Sequence, residues 1–233
     1  MSYAVYLKVE NATYQHFLNL QQQLHAGSKH KLAHELGDVL AEVAIQVIQQ
    51  VFIDLLEQQK QRLSRPEGHK IAEDSEKVVQ HVLAALQKYL PWSIAFLSNE
   101  RLKIMVDYFA NMVIVQQDEQ QKQQIFLHYA VDSDLITHTL NAIEKIREGE
   151  ASAIPVAFSD LTKIIDVGVD QLARQPKSLL HFTFVVDKTL NGVIQLCTNL
   201  AYKRLEGLGQ EVELGSAPYY VDHFLKFLHP QGR

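Results

Sequence analysis

One apolar stripe of helical period constrains this fold more than any other feature of the sequence. Between residues 28 and 62, large apolar side chains recur at steps of three and four, which is the spacing of one helix face. The members of the stripe are Leu32, Leu36, Val39, Val43, Val47, Val51 and Leu55. In the second half of the stretch, apolar residues extend around most of the circumference, so neighbouring helices should enclose it. We therefore predict an all-α, multi-helix bundle of about seven to nine helices around this long central helix.

The remaining helices are predicted from the same periodicity and from the residues that interrupt it. Residues 3–9 are compatible with a short strand, but the apolar spacing after them favours a first helix over residues 4–25. Prolines interrupt the pattern at Pro66, Pro91 and Pro176. The later predicted helices are residues 73–90, 99–117, 120–129 (separate or a continuation of the one before), 133–147, 159–174, 177–206 and 216–229.

A linker is predicted at residues 151–158, where Pro155 lies between two helical patterns. It separates a helical bundle of residues 1–150, built on the helix at 28–62, from C-terminal helices in residues 151–233. We expect the C-terminal helices to pack on the same core, and a single domain is an equal alternative.

Composition and charge narrow the class of protein. With 47% hydrophobic and 21% charged residues, the chain has the composition of a soluble globular protein. Its net charge of −5 makes nucleic acid an unexpected partner. The one cysteine, Cys197, cannot form an internal disulfide and is predicted to pack in the core. The N-terminus lacks a basic leader segment, and no uninterrupted apolar run approaches the ~18 residues of a membrane span, so we expect a cytoplasmic protein.

A candidate metal site lies on the long helix. His30, His34 and Asp38 follow one another at helical i, i+4 spacing, with Glu42 next in the series. Two histidines on one ridge can bind a single Zn²⁺, Fe²⁺ or Ni²⁺ ion, with Asp38 as a further ligand. The alternative is an ordinary polar helix face, which the neighbouring lysines favour. The sequence identifies no cofactor.

A second candidate site comes from a weak internal repeat. The pattern Val-Asp-x-x-x-Asn-x-Val-Ile occurs at residues 106–114 and again at 186–194. The pairs Asp107 with Asn111 and Asp187 with Asn191 each share one helix face. They form either the polar groups of a ligand cavity or a narrow solvent-facing stripe. Two glycines in predicted helix interiors, Gly168 and Gly192, mark either close helix packing or room for a ligand.

These features favour a non-enzymatic binding or regulatory protein. No phosphate-binding loop, dinucleotide-binding loop, nucleophile elbow or Cys-x-x-Cys motif occurs in the sequence. We expect a protein partner or an apolar small molecule held between the helices at 104–115 and 186–197. Self-association is also expected, through the strongly apolar stretches at 43–56, 104–115 and 179–197. The alternative function is a metal-dependent helical-bundle enzyme that uses the His30, His34 and Asp38 ridge.

Overall fold

The computed structural model describes residues 3–55, 66–118 and 120–230. Within them the chain is mostly helical, which confirms the predicted multi-helix fold. Two π-helical turns, Gln49–Ile53 and Asp170–Arg174, continue the second and sixth helices. In chain order the helices are α1 (Asn11–His25), α2 (Ala33–Ile48), α3 (Pro66–Ile94), α4 (Asn99–Ala110), α5 (Ser133–Arg147), α6 (Ala153–Val169), α7 (Gln175–Leu179), α8 (Phe184–Glu211) and α9 (Ala217–Leu225).

A small four-stranded sheet accompanies the helices, with the strand order β2-β3-β1-β4. Its strands are β1 (Tyr3–Val9), β2 (Val113–Gln117), β3 (Gln123–Val131) and β4 (Leu228–Pro230). Strand β2 pairs antiparallel with β3 from Val113↔Leu127 to Gln117↔Gln123, and β1 pairs antiparallel with β4 from Tyr3↔Pro230 to Val5↔Leu228. The predictions of helix at residues 4–9, 113–117 and 123–129 are therefore wrong.

The predicted long helix begins later than its sequence pattern suggested. Helix α2 starts at Ala33, and residues 28–32 form a loop that the Asn99 side chain holds. Asn99 Nδ2 donates to the carbonyls of Ser28 at 3.0 Å and His30 at 2.7 Å, while its Oδ1 accepts from Leu32 N at 3.2 Å. Both α1 and α3 pack against α2, which gives it the central position expected in its part of the chain. The predicted end of the helix, residues 56–62, lies outside the described residues.

Several prolines lie inside helices where breaks were predicted. Pro91 belongs to α3, which continues to Ile94, and Pro155 lies in the first turn of α6. First-turn N–H groups have no partner within the helix, so Pro155 removes no hydrogen bond there. The linker predicted at residues 151–158 is thus mostly the start of α6. Conversely, the predicted helix 177–206 is interrupted between α7 and α8, where His181 has a positive φ of 43°.

The chain folds as two compact units, each of which draws on separate stretches of sequence. The terminal unit comprises the described residues of 1–6, 128–173 and 196–233, and the central unit those of 7–127 and 174–195. The core of the central unit is formed by apolar residues of α1, α2 and α4 together with Ile94, Leu97 and Leu180. In the terminal unit α5 packs on α6, and α9 packs on both. The predicted division at residue 150 is a different one and stays a prediction.

One helix in the described part of the chain, Ala33–Ile53, is long and apolar enough to cross a membrane by length and composition. It has 21 residues and a mean hydropathy of 1.5. Charged residues interrupt its apolar run, and the sequence-based criterion counted only uninterrupted apolar runs. The core helix of a globular protein meets the same criterion, and this helix packs against α1 and α3.

Candidate interaction surface

The structure brings together two of the three predicted metal ligands. His34 Nδ1 lies 3.0 Å from Asp38 Oδ2, and these side chains are 76% and 55% exposed. His30 precedes the start of α2 and therefore does not continue the His34 ridge. In the part of the chain that the structure describes, no group of three or more His, Cys, Asp or Glu side chains is arranged to hold a metal ion.

Glu42, the next member of that series, belongs to a partly buried polar network instead. Thr13 Oγ1 donates to Glu42 Oε1 at 2.9 Å, and Gln46 Nε2 donates to Thr13 Oγ1 at 2.9 Å. Gln46 Oε1 also accepts from the backbone N–H of Glu10 at 3.0 Å. Gln46 is buried and bonds to α1 and to the backbone after β1, whereas Glu42 bonds to α1 but remains exposed.

The two predicted ligand-binding pairs are surface polar groups in the structure. Asp107 Oδ1 lies 2.8 Å from His25 Nε2, with both side chains about half exposed. Asn111 follows α4 as its C-terminal cap. Asp187 accepts from Asn191 Nδ2 at 2.9 Å and also from Lys177 Nζ. Among the described hydrogen bonds, none joins the first pair to the second, and the arrangement matches the solvent-stripe alternative.

The two copies of the internal repeat differ in backbone structure. Residues 106–114 run from helix through a turn into β2, whereas residues 186–194 are helical throughout. The two glycines also differ. A Cβ added at Gly168 would lie 2.6 Å from Cζ of Tyr129, whereas one added at Gly192 would meet no atom within 4 Å. Gly168 thus marks close packing, and the repeat does not correspond to one repeated structural unit.

An apolar pocket of about 30 Å³ lies in the central unit between α1, α2, α4 and the sheet. Tyr14, Phe17, Phe109 and Val113 contribute to its walls. This volume holds about one or two water molecules, which is far less than a typical small-molecule site of roughly 300 Å³ or more. None of the four predicted ligand-binding residues lines it.

A cluster around Asp160 in the terminal unit escaped the sequence analysis. The Asp160 side chain is only 2% exposed, and its carboxylate accepts hydrogen bonds from His138 Nδ1 and, at 2.8 Å, from Lys163 Nζ. A histidine held by a carboxylate is a geometry that proton-transfer catalysts use. Here the ring is well exposed, and the cluster joins α5 to α6. The arrangement is therefore a buried carboxylate that is bonded by the exposed side chains of His138 and Lys163. Its sequence signal was one of the two aspartates in the apolar stretch 153–169.

Cys197 is intermediate in exposure, and burial raises the pKa of its thiol to about 11. At neutral pH the side chain is therefore a thiol rather than the thiolate that nucleophilic catalysis requires.

The most distinctive surface feature of the central unit is a set of exposed apolar side chains, which we call the α4/α7 surface. Phe184 is 80% exposed and Val185 is 65% exposed at the start of α8. Leu179 at the end of α7 and Ile104 on α4 are about half exposed. Leu179, Phe184 and Val185 lie close together in the chain, and exposed apolar residues that form a patch mark interaction sites.

Local contacts explain why these side chains face outward. Leu180 is buried and Phe182 packs against the core, so the segment between α7 and α8 is anchored by its other apolar residues. Arg101 Nη2 donates to the carbonyl of His181 at 3.0 Å, and Tyr108 donates to Gln175 Oε1 at 3.1 Å. Arg101, Ile104 and Tyr108 share one helix face. Ile104 therefore lies along the line where α4 meets α7.

The comparisons with known proteins add no relative on which to base a function. No family model matches the chain, and no curated protein or solved structure matches it either.

Proposed function

We propose that this chain is a non-enzymatic binding or regulatory protein that acts through contacts with other protein chains, including copies of itself. The observation that carries the proposal is the α4/α7 surface, and above all the exposure of Phe184 and Val185. Aromatic and large aliphatic residues are concentrated in the buried centres of protein interfaces.

The energetic argument depends on how much apolar surface remains in water. Full burial of a Phe or Val side chain is worth about 1.5–3 kcal/mol. At exposures of 80% and 65%, covering Phe184 and Val185 offers roughly 3 kcal/mol together. Thr183, the residue before α8, is of the polar type that caps a helix start, so Phe184 at the first helical position is not needed for capping.

The three stretches predicted to mediate self-association differ in how many of their apolar side chains are exposed. In the stretch 43–56, Val51 and Leu55 are core residues. The exposed large apolar residues of the other two stretches are Ile104, Val115, Leu179, Phe184 and Val185. The proposal therefore retains 104–115 and 179–197. It names a protein partner because the residues that carry it are exposed apolar side chains. The described pocket of the central unit is too small to support the small-molecule alternative at that place.

Sedimentation velocity on the full chain tests the proposal at concentrations from about 1 to about 100 µM. The wild-type chain is expected to self-associate in this range, and the double variant Phe184→Ser with Val185→Ser is expected to associate more weakly than the wild type at each concentration. The matched control is Val156→Ser, because Val156 is also an exposed valine, 40% exposed, but lies on α6 in the terminal unit. A wild-type chain that stays monomeric, or a double variant that associates as the control does, contradicts the proposed role of this surface.

A further inference from the structure

Strand β2 is an edge strand of the sheet. Its hydrogen-bonding pattern with β3 shows which of its backbone groups point away from β3. Asp118 N donates to the carbonyl of Lys122 at 3.0 Å, so residues 118 and 122 form a hydrogen-bonded pair. Antiparallel ladders alternate, and Gln116 and Ile114 therefore also bond to β3. The N–H and C=O groups of the intervening residues, Val113, Val115 and Gln117, point outward from the sheet.

The hairpin that carries β2 is held by local contacts. The Asp118 carboxylate accepts from the N–H groups of Gln120 at 2.9 Å and Lys122 at 2.8 Å, and from Gln124 Nε2 at 3.1 Å. Gln121 N donates to the Asp118 carbonyl at 2.9 Å, and Gln121 has a φ of 60°. These contacts fix the register of β2 on β3, so its outer edge is a preorganised row of donors and acceptors.

The other strand edges in the described part of the sheet are blunted. Strand β4 has three residues and ends in Pro230, and short strands and prolines disfavour further pairing. Where β4 stops, the side-chain amide of Gln50 takes the place of a neighbouring strand. Its Oε1 accepts from Lys8 N at 2.9 Å, and its Nε2 donates to Lys8 O at 3.0 Å.

Strand β2 has none of these protections. Its five residues, Val-Ile-Val-Gln-Gln, include no proline and no charged side chain. Val115 is 43% exposed although its cross-strand neighbour Ile125 is buried. An uncharged, regular edge strand of this kind is a template for pairing with another strand.

We infer that β2 pairs antiparallel with β2 of a second copy of this chain, about a twofold axis at Val115. The outward-pointing residues are symmetric about that position. Val115 would lie opposite Val115 of the second copy, and Val113 opposite Gln117 of the second copy. The two strands would exchange about six backbone hydrogen bonds, and the sheets would join edge to edge.

A second copy fits this edge because the strand is self-complementary under the twofold operation. A symmetric antiparallel pair places no like charges opposite each other, since β2 carries none. The central pair is a β-branched Val–Val contact, which buries apolar surface that each separate chain exposes. This inference rests on the self-association named in the proposed function, but it uses a different surface from Phe184 and Val185.

The test combines sedimentation velocity with hydrogen exchange read amide by amide by NMR. Val115→Pro removes an outward-pointing N–H and leaves the bonds to β3 in place, and Val115→Thr is the matched control that keeps the N–H. We expect Val115→Pro to raise the dimer dissociation constant by about 10- to 30-fold, and Val115→Thr to change it by less than about threefold. In the wild-type chain, the amides of Val113, Val115 and Gln117 should exchange more slowly as concentration rises. The amides of Ile114 and Gln116 should be protected at every concentration.

The outcomes separate this inference from the proposed function. A wild-type chain that is monomeric at every concentration overturns both. A dimer that Val115→Pro leaves intact and that the Phe184→Ser, Val185→Ser variant dissociates overturns the β2 pairing alone. A dimer whose Val115 amide exchanges at the same rate at low and high concentration also overturns it.

Discussion

Replacing Gly168 by alanine tests a close approach of α6 to β3 in the terminal unit. A Cβ built on Gly168 would lie 2.6 Å from Cζ, 2.7 Å from Oη and 2.9 Å from Cε1 of Tyr129. Real Cβ atoms do not approach other groups this closely, so the tyrosine ring or the helix must move. The ring belongs to the core on β3, where burial raises the pKa of its hydroxyl. Movement of the ring would therefore disturb neighbouring core contacts.

Two opposing effects set the size of the change. Alanine is favoured over glycine in a helix interior by about 1 kcal/mol. Overpacking a filled core typically costs about 1–3 kcal/mol, and the contact at Gly168 is with rigid ring atoms. We therefore expect Gly168→Ala to lower the free energy of unfolding by about 1–2 kcal/mol. The matched control is Gly192→Ala, which adds a Cβ in open space and should raise the free energy of unfolding by up to about 1 kcal/mol.

Urea denaturation followed by circular dichroism measures both variants against the wild-type chain. Tyr129→Leu removes the obstructing ring atoms, so its combination with Gly168→Ala should be less destabilising than the sum of the two single changes. If Gly168→Ala is as stable as Gly192→Ala, or if the double variant shows exact additivity, the close approach of α6 to Tyr129 is refuted.

Two further predictions concern carboxylates. The backbone N–H of Lys122, followed by the contacts with Gln124 and Gln120, holds the pKa of Asp118 below its usual range. The ionised carboxylate therefore stabilises the folded hairpin above the unfolded-state pKa of this group. That stabilisation is lost as the pH falls through the folded-state pKa. In Asp118→Asn, the protection of the hairpin amides against hydrogen exchange should no longer fall with pH in this range. If the pH dependence of that protection is the same as in the wild-type chain, the prediction is contradicted. At Asp160, replacing both His138 and Lys163 by alanine should lower the free energy of unfolding by about 2 kcal/mol, because the buried carboxylate loses both hydrogen-bond partners. Asp160→Leu should cost about 1 kcal/mol or less because the two partner side chains are exposed to water, and a larger loss for Asp160→Leu in urea denaturation would contradict this.

The helices with local end signals were predicted well from sequence. The predicted helix 133–147 matches α5, whose N-cap residue Asp132 accepts from the N–H groups of Asp134 at 2.9 Å and Leu135 at 3.1 Å. The stripe on α2 also identified true core residues, including Leu32, Leu36 and Val39. Such features depend on neighbours within one or two helical turns, which is the range that a sequence pattern describes.

The sheet was missed because its signals resemble helical ones over short stretches. Residues 104–115 are apolar almost throughout, and both a buried helix and a strand produce such a run. Helix α4 ends at Ala110 without a glycine or proline, so nothing marked the change to β2. Strand β3 does show a period of two, because Ile125, Leu127, Tyr129 and Val131 are buried in alternation. The glutamine-rich residues before it fit a helix equally well, so the sequence alone does not mark where β3 begins.

The partners of the predicted site residues come from distant parts of the chain. Helical spacing placed His30, His34 and Asp38 on one ridge, but Asn99, almost seventy residues away, holds the loop that keeps His30 out of the helix. Likewise, Lys177 and His25 supply the partners of Asp187 and Asp107 from other elements. A sequence pattern gives the face on which a side chain lies, but not the group that reaches it from another element.

Glutamine shows how a common residue can have a specific role in this fold. The primary amide presents one acceptor and two donors without charge, so it can bond to both the N–H and the C=O of one backbone residue. Gln50 does this at Lys8, and Gln46 bonds to the N–H of Glu10 two residues further on. Glutamate could accept from these N–H groups but could not donate to the Lys8 carbonyl, and lysine could only donate. The chain thus completes the free side of β1 with two amides from α2 and its π-helical turn. Because β1 is covered in this way while β2 presents an uncharged and regular edge, β2 is the edge that favours pairing with another strand in the described part of the sheet.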